Sequence, residues 1–138
     1  MFDKELVEKK INQIIECLTE LEPIVTKMSD EEIKKDYFKY HTAERLLQLI
    51  VDTILDINIH FIKEKKLVVP DDLQSTFITL SDNNLLPKDF AVKIAPVVGL
   101  RNRVVHKYDS LDKKTFIEKL KNNFNNFKEY LICIKKLL

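Results

Sequence analysis

Apolar residues recur along two long stretches of this chain at alternating intervals of four and three. The first stretch, from about Asp3 to Met28, carries Val7, Ile11, Ile14, Leu18, Leu21, Val25 and Met28. The second, from about Lys113, carries Ile117, Leu120, Phe124, Phe127, Leu131, Ile134 and Leu138. This spacing places each set on one face of an α-helix, which then buries a seam against other helices. Since the 138 residues include one glycine, the tight turns of a β-rich fold have little support. The sequence therefore predicts an all-α bundle, in a single domain spanning residues 1–138.

The second predicted helix lies between these two stretches and is the longest of the predicted helices. Ser29 and Glu32 form a capping box at its start, and its apolar pattern runs to about Lys66, a length of roughly 55 Å. Its apolar stripe is wide enough for more than one neighbour, so it either lies at the centre of the bundle or also serves a subunit interface. Pro23, inside the first helix, is expected to kink that helix or end it early.

Two shorter helices complete a predicted antiparallel bundle of four to five helices with short connections. The third begins at Pro70 and the acidic pair Asp71 and Asp72, and ends near "SDNN". The fourth begins at Pro87, a favourable first-turn residue, and is weakened in the middle by Pro96 and the lone glycine.

The net charge of +1 conceals an asymmetry along the chain. Residues 1–100 carry 13 Lys or Arg against 18 Asp or Glu, whereas residues 101–138 carry 10 against 4. A positive field that begins at Arg101 would attract a polyanion. The charged N-terminus lacks the apolar core of a signal peptide, and no apolar run reaches the roughly 20 residues of a membrane helix. We therefore expect a cytoplasmic protein with no membrane contact.

Neither a metal nor a cofactor is expected. The two cysteines, Cys17 and Cys133, lie inside helical patterns, and no other ligand stands at a metal-binding spacing from either. This arrangement is typical of buried, reduced thiols in a cytosolic protein.

The stretch "GLRNRVVHKYD", residues 99–109, gathers side chains that are scarce elsewhere in the chain. Arg101, Asn102, His106 and Tyr108 follow the spacing R-N-x3-H-x-Y. On a helix, Arg101 and Tyr108 share a face, as do Asn102 and His106, whereas Arg101 and His106 are about 140° apart. Converging on one substrate would require the helix to unwind near His106, or a second copy of the chain to contribute. Gly99, just upstream, would let backbones approach closely.

These residue types suit the cleavage of RNA without a metal, because the 2′-hydroxyl can attack the neighbouring phosphorus. Histidine titrates near neutrality and can act as base or acid, and arginine presents a fixed fork of donors to phosphate oxygens. One histidine cannot easily be both base and acid in a single step, so a two-fold dimer that joins two motifs would supply the missing group. Taken singly, each residue also has a structural interpretation, such as a histidine that satisfies carbonyls at a helix end.

The second predicted helix contains another polar pair. Asp56 and His60 are four residues apart on one face, where an acid can orient or charge a histidine. A zinc site would need a third and a fourth ligand, and no spacing supplies them. The pair is therefore interpreted as structural, or as a supporting contact to the cleft.

The motif resembles that of the HEPN superfamily, whose ribonucleases carry R-x4–6-H, often with a polar residue after the arginine. "RNRVVHKYD" is similar to the narrower R-x4-H-x-Y signature of the HepT toxins. "AERLLQLIVDTILDINIHFI" is similar to the A-x-E-R-x-L-Q…D-x-x-x-H run of that family, and the similarity continues through "FITLSDNNLLP" and "YDSLD". The resemblance covers nearly the whole chain, and the first helix is its least diagnostic part.

The resemblance implies a homodimeric bundle of four to five helices whose paired motifs line a cleft. It implies a metal-independent ribonuclease toxin, paired with a minimal nucleotidyltransferase antitoxin, MntA, that transfers AMP to the motif tyrosine. Carried over, Arg101 and His106 would be catalytic and Asn102 would assist them. Tyr108 would accept AMP, whose bulk and negative charge would repel the substrate phosphate.

Two further expectations accompany the resemblance. Arg103 and Lys107, which alternate with the motif residues, are expected to support RNA binding through their charge. The alternative function is a non-catalytic HEPN module that binds a nucleotidyltransferase partner or a nucleotide.

Overall fold

Seven α-helices and no strand are found in residues 2–106 and 112–138, the part of the chain that the computed structural model describes. They are α1 (Lys4–Lys27), α2 (Asp30–Lys35), α3 (Tyr37–Glu64), α4 (Ser75–Asp82), α5 (Lys88–Ile94), α6 (Val97–His106) and α7 (Lys113–Lys135). The predicted all-α bundle is confirmed. Helix α3 is central, since it packs against α1, α2, α4 and α6. Among the described helices none combines the length and the apolar character needed to cross a membrane.

The first and last helices form where the apolar spacing predicts them. Asp3 caps α1 and Asp112 caps α7, each by accepting a hydrogen bond from the backbone N–H three residues on, at 3.0 and 3.2 Å. Such caps satisfy donors that a helix start leaves without partners. Pro23 was expected to kink or end α1, but the helix continues to Lys27, with the proline ring on its exposed side.

The predicted second helix is two helices in the structure. The capping box is present: Ser29 Oγ accepts from the Glu32 N–H at 3.1 Å, and Glu32 Oε1 accepts from the Ser29 N–H at 2.9 Å. The chain then leaves the helical conformation at Asp36, whose carboxylate accepts from the Lys39 N–H at 3.0 Å and starts α3. The prediction of a single helix that runs to Lys66 is wrong. Asp36 ends α2, and its side chain caps the start of a new helix, α3.

The predicted third and fourth helices differ in a similar way. Helix α4 begins at Ser75, whose backbone N–H and hydroxyl donate to the Asp72 carboxylate at 2.7 and 3.0 Å. These hydrogen bonds lower the pKa of Asp72 below its ordinary value. The fourth predicted helix is divided into α5 and α6 at Pro96, because proline has no N–H to continue the ladder. Gly99, also expected to weaken it, remains helical.

A buried polar network joins three helices. The Tyr130 hydroxyl on α7 donates to Asn58 Oδ1 on α3 at 2.7 Å, and Asn58 Nδ2 donates to Thr76 Oγ1 on α4 at 3.0 Å. The Thr76 hydroxyl in turn donates to the Leu73 carbonyl at 2.7 Å. Burial raises the pKa of Tyr130 well above its ordinary value, so its hydroxyl stays a donor. The network fixes the start of α4 to the core.

Replacing Tyr130 by phenylalanine is expected to lower the free energy of unfolding by about 1–3 kcal/mol, because Asn58 Oδ1 then lacks its buried donor. Urea unfolding of the two proteins measures the difference. Tyr37→Phe is the control, since that side chain is 66% exposed and its loss of a hydroxyl should change little. Equal stability of Tyr130→Phe and the wild type would contradict the assigned network.

Candidate active site

Helix α6 carries the described part of the motif. Arg101 is half-buried, whereas Asn102 and His106 are exposed. The side of α6 opposite Asn102 and His106 is anchored in the core by the buried residues Leu100 and Val104. Lys107 and Tyr108, predicted to contact RNA and to accept AMP, lie outside the described residues, as do residues 109–111.

The geometry of α6 separates Arg101 from His106. The helix continues through His106, so unwinding does not occur before that residue. At 100° per residue, the two side chains leave the helix about 140° apart. Asn102 and His106, four residues apart, share a face as predicted. Within one chain, therefore, helical geometry directs the arginine and the histidine to different sides of α6.

The Arg101 guanidinium is held by two acceptors. Its Nε donates to Asp52 Oδ1 on α3 at 2.7 Å, and its Nη1 donates to Asn102 Oδ1 at 3.0 Å. The Arg101 and Asp52 side chains are 20% and 37% exposed, so the pair is only partly screened by water. A guanidinium has five N–H donors, and these contacts use two of them. The remaining donors can bind phosphate oxygens from a fixed position.

Arg103, predicted to support RNA binding, is half-buried, and its Nε is buried without a hydrogen-bond partner among the described residues. A buried donor without a partner costs about 1–3 kcal/mol. Nε carries one of the five guanidinium N–H donors, so the contact of Arg103 with RNA stays a prediction.

The predicted pair on α3 has other partners. Asp56 accepts a hydrogen bond from Lys10 Nζ on α1 at 3.1 Å. His60 Nε2 accepts from the Asp3 N–H at 3.3 Å, and the His60 ring packs against that of Phe2, with 5.3 Å between centroids. Both side chains thus contact α1 or the residue that caps it, which agrees with the structural interpretation of the pair. Each step of four residues along a helix rotates the side chain by about 40°. The row Asp52, Asp56 and His60 on α3 therefore turns from α6 towards α1.

Asp52 is the acidic residue that reaches the motif, and sequence reasoning missed it. It lies one turn before Asp56, in the apolar run "LLQLIVDTIL". A carboxylate at a half-buried position among apolar neighbours needs a partner. An aspartate inside this apolar run is therefore the feature of the sequence that could have indicated a functional contact. The sequence did not identify Arg101 as that partner, because the packing register of α6 on α3 depends on the tertiary fold.

Part of the positive charge that follows Arg101 is directed away from α6. Lys121 on α7 donates to Asp30 Oδ1 at 2.5 Å and to the Met28 carbonyl at 3.0 Å, both near the start of α2. Lys113 lies over the Tyr40 ring, 4.9 Å from its centroid. These two lysines therefore stabilise the bundle.

A groove of about 750 Å³ lies beside Asn102. We call it the α4–α6 groove; residues at the start of α4 and at the α5–α6 junction line it, among them Asp72, Gln74, Ile78, Val98, Gly99 and Asn102. Asn102 thus belongs both to the motif and to the groove wall.

Comparison with known proteins gives consistent results. A family model described as Ribonuclease HepT-like matches residues 14–134. The mRNA nuclease HepT of Shewanella oneidensis is 24% identical over 131 residues, which cover 95% of this chain and 97% of that protein. The tRNA nuclease HepT of Aphanizomenon flos-aquae is 43% identical over 70 residues, 51% of this chain and 48% of that protein.

A solved structure has the same fold. It is a tri-AMPylated Shewanella oneidensis HEPN toxin in complex with an MNT antitoxin, and a chain of that complex superposes with a TM-score of 0.87 at 23% sequence identity. The alignment covers 97% of this chain and 99% of that one. The helical arrangement described above is therefore the fold of that chain.

Proposed function

We propose a function from one established premise: the chain belongs to the ribonuclease HepT-like family. It acts in the cytoplasm as the endoribonuclease toxin of a HepT/MntA-type toxin–antitoxin module. The observation that carries the proposal is the geometry of the α6 motif. Asp52 on α3 and Asn102 on α6 hold the Arg101 guanidinium, and the same helix α6 carries His106. The names of its relatives as mRNA and tRNA nucleases support the same activity.

The proposed chemistry needs no metal. The RNA 2′-hydroxyl oxygen attacks the adjacent phosphorus and loses its proton to a base, while the bond from phosphorus to the 5′-oxygen breaks. An acid then protonates that leaving oxygen, which yields a 2′,3′-cyclic phosphate and a 5′-hydroxyl end. His106 has the side chain for the proton transfers. Arg101, always charged, stabilises the negative charge on the phosphoryl oxygens.

A homodimer completes the proposed site. Because Arg101 and His106 leave α6 about 140° apart, one helix does not present both to one phosphate. A two-fold axis beside α6 would bring two copies of His106 into one cleft, with one imidazole as base and the other as acid. The same cleft would receive Arg101 side chains from the dimer.

The test is RNA cleavage by the purified protein in EDTA. The wild type is expected to cut total RNA, and His106→Ala to cut it at least about 100-fold more slowly, since acid–base catalysis contributes at least that factor. His41→Ala is the matched control, because His41 lies on α3 and its Nδ1 contacts Glu44 at 2.6 Å, outside the motif. Unimpaired cleavage by His106→Ala would contradict its assignment. No cleavage by a folded wild-type protein free of AMP would favour the non-catalytic binding module.

Tyr108 is the proposed position of regulation. Co-expression with an MntA-type nucleotidyltransferase and ATP is expected to add AMP to Tyr108, with loss of RNA cleavage, because the phosphate repels the substrate backbone. Mass spectrometry of the peptides locates the adduct, and Tyr108→Phe should carry none. Tyr40 and Tyr130 are buried, so Tyr37, which is 66% exposed, is the competing acceptor. AMP on Tyr37 instead of Tyr108 would contradict the proposal.

A further inference from the structure

The described structure of the chain does not require a glycine at position 99. It lies inside α6, and no glycine has a positive φ angle. A Cβ built at Gly99 meets no atom within 4 Å beyond its own neighbours and helix backbone in the described structure. The close backbone approach expected at this residue is therefore not found within one chain. Since glycine in a helix costs about 0.5–1 kcal/mol relative to alanine, its presence here keeps a space open at some cost in stability.

That space is the α4–α6 groove, of which Gly99 forms one wall. Ile78 and the buried Val98 contribute apolar surface to it, and the side-chain amides of Gln74 and Asn102 contribute polar groups from opposite walls. At about 750 Å³ the groove lies within the usual size range of small-ligand sites, which combine apolar lining with a few polar groups.

The α4 wall of the groove is formed before any ligand binds. Leu73, which lines the groove, accepts a hydrogen bond from the Thr76 hydroxyl at 2.7 Å through its carbonyl. Thr76 belongs to the buried network that continues to Asn58 and Tyr130. A wall fixed in this way loses little conformational freedom on binding.

The groove lies on the same face of α6 as the motif histidine. Gly99, Asn102 and His106 follow one another at intervals of three and four residues, which places them in one row along the helix. His106 comes four residues after Asn102, about 6 Å further along the axis. A molecule that occupies the groove would therefore extend directly to the residue proposed to transfer protons.

The two walls differ in charge. On the α4 side, Asp72 lines the groove, and hydrogen bonds from Ser75 keep its pKa low, so it is ionised near neutral pH. On the α6 side, the lining residues Val98, Gly99 and Asn102 carry no charge. A phosphate is thus repelled by the α4 wall, whereas an uncharged ring with amino groups can donate to Asp72 and to the oxygen of Gln74.

We infer that the α4–α6 groove binds a base of single-stranded RNA next to the bond that is cut, with the phosphate towards His106. The inference rests on the proposed ribonuclease function and adds to it a site that determines sequence preference. Base edges in single-stranded RNA are exposed to such hydrogen bonds, and their rings pack on apolar surface.

The test compares wild type, Gly99→Ala and Gly99→Leu on one defined single-stranded RNA. Leucine fills the groove, so we expect KM to rise about tenfold, as for the loss of one base contact, and the preferred cleavage positions to change. Alanine adds one methyl group and leaves most of the groove open, so its rise in KM and its change in cleavage positions should be smaller than those caused by leucine. Thermal unfolding checks that both variants fold, as the open space and ordinary φ at Gly99 allow.

Gln74→Ala supplies a second variant on the opposite wall, where the exposed side chain has no part in the core. It is expected to shift the cleavage positions in the same assay. If wild type cuts RNA while both Gly99→Leu and Gln74→Ala keep its KM and its cleavage positions, the inference is overturned and the ribonuclease function stands. Conversion of the Gly99→Leu dimer to a monomer would also overturn it, by assigning the groove to the subunit interface.

The groove can also be tested without catalysis. The His106→Ala protein is titrated with AMP, GMP, CMP and UMP, and NMR shifts or calorimetry report binding. We expect at least one of them to bind and Gly99→Leu in the same background to abolish that binding. If wild type cuts no RNA but a mononucleotide binds in this way, the ribonuclease proposal fails while the groove remains a nucleotide site. No binding by any of the four would count against the groove.

Discussion

A dimer of one wild-type chain and one His106→Ala chain is expected to lose nearly all RNA cleavage instead of half. The proposed cleft contains both copies of His106, one as base and the other as acid. Removing either imidazole leaves one proton transfer without its catalyst, and such a group contributes about 10²- to 10⁴-fold. The heterodimer is prepared by co-expression of two differently tagged chains and purified through both tags. Its rate on a defined RNA is then compared with that of wild-type dimers purified in the same way.

The control for this experiment is a heterodimer of wild type with His41→Ala, which should match the wild-type dimer. Native mass spectrometry verifies that the two chains have not exchanged during the assay. A heterodimer with half the wild-type rate would show that each chain supplies its own base and acid. In that case α6 would have to present Arg101 and His106 to the same phosphate, against the roughly 140° that separates them on a regular helix.

Much of the fold could be predicted because its information is local. The apolar seams of α1 and α7 and the capping box at Ser29 depend on residues three or four apart, and the structure has both helices and the capping box. Near the end of α1 the buried residue is Ile24, whereas the predicted Val25 is half-buried. The break at Asp36 was not predicted, because the apolar pattern continues across it and a single side-chain cap decides it. Pro96 and Pro23 show the same limit: one proline divides a helix and the other remains within one.

The candidate site shows where local information ends. The positions of Arg101, Asn102 and His106 on a single helix follow from their spacing alone. Asp52 could not be assigned to Arg101, since they are 49 residues apart and their 2.7 Å contact depends on how α6 packs on α3. The sequence also predicts a pair of Asp56 with His60 on its own helix, whereas Asp56 binds Lys10 of α1 in the structure. Periodicity defines the faces of a helix, but it does not define which neighbour each face meets.

The contact between Asp52 and Arg101 leads to the second large effect. Replacing Asp52 by alanine removes the acceptor of the Arg101 Nε, so the guanidinium is no longer fixed where the phosphate charge develops. Misplacement of a catalytic group by about 1 Å can cost 10²-fold in rate, so we expect kcat for RNA cleavage to fall by about 10- to 100-fold. Loss of a carboxylate near the substrate phosphates should at the same time lower KM, because it removes a repulsion. Steady-state kinetics on one defined RNA measures both constants.

Asp52→Asn separates position from charge. Asparagine keeps an oxygen acceptor for the Arg101 Nε but has no negative charge, so it should lower KM as alanine does while kcat stays within a few-fold of wild type. Asp56→Ala is the matched control: it lies one turn further along α3 and loses a contact with Lys10 on α1, away from α6. Equal kcat losses for Asp52→Ala and Asp52→Asn would exclude positioning by the oxygen acceptor. They would mean that the charge of Asp52 itself supports the reaction.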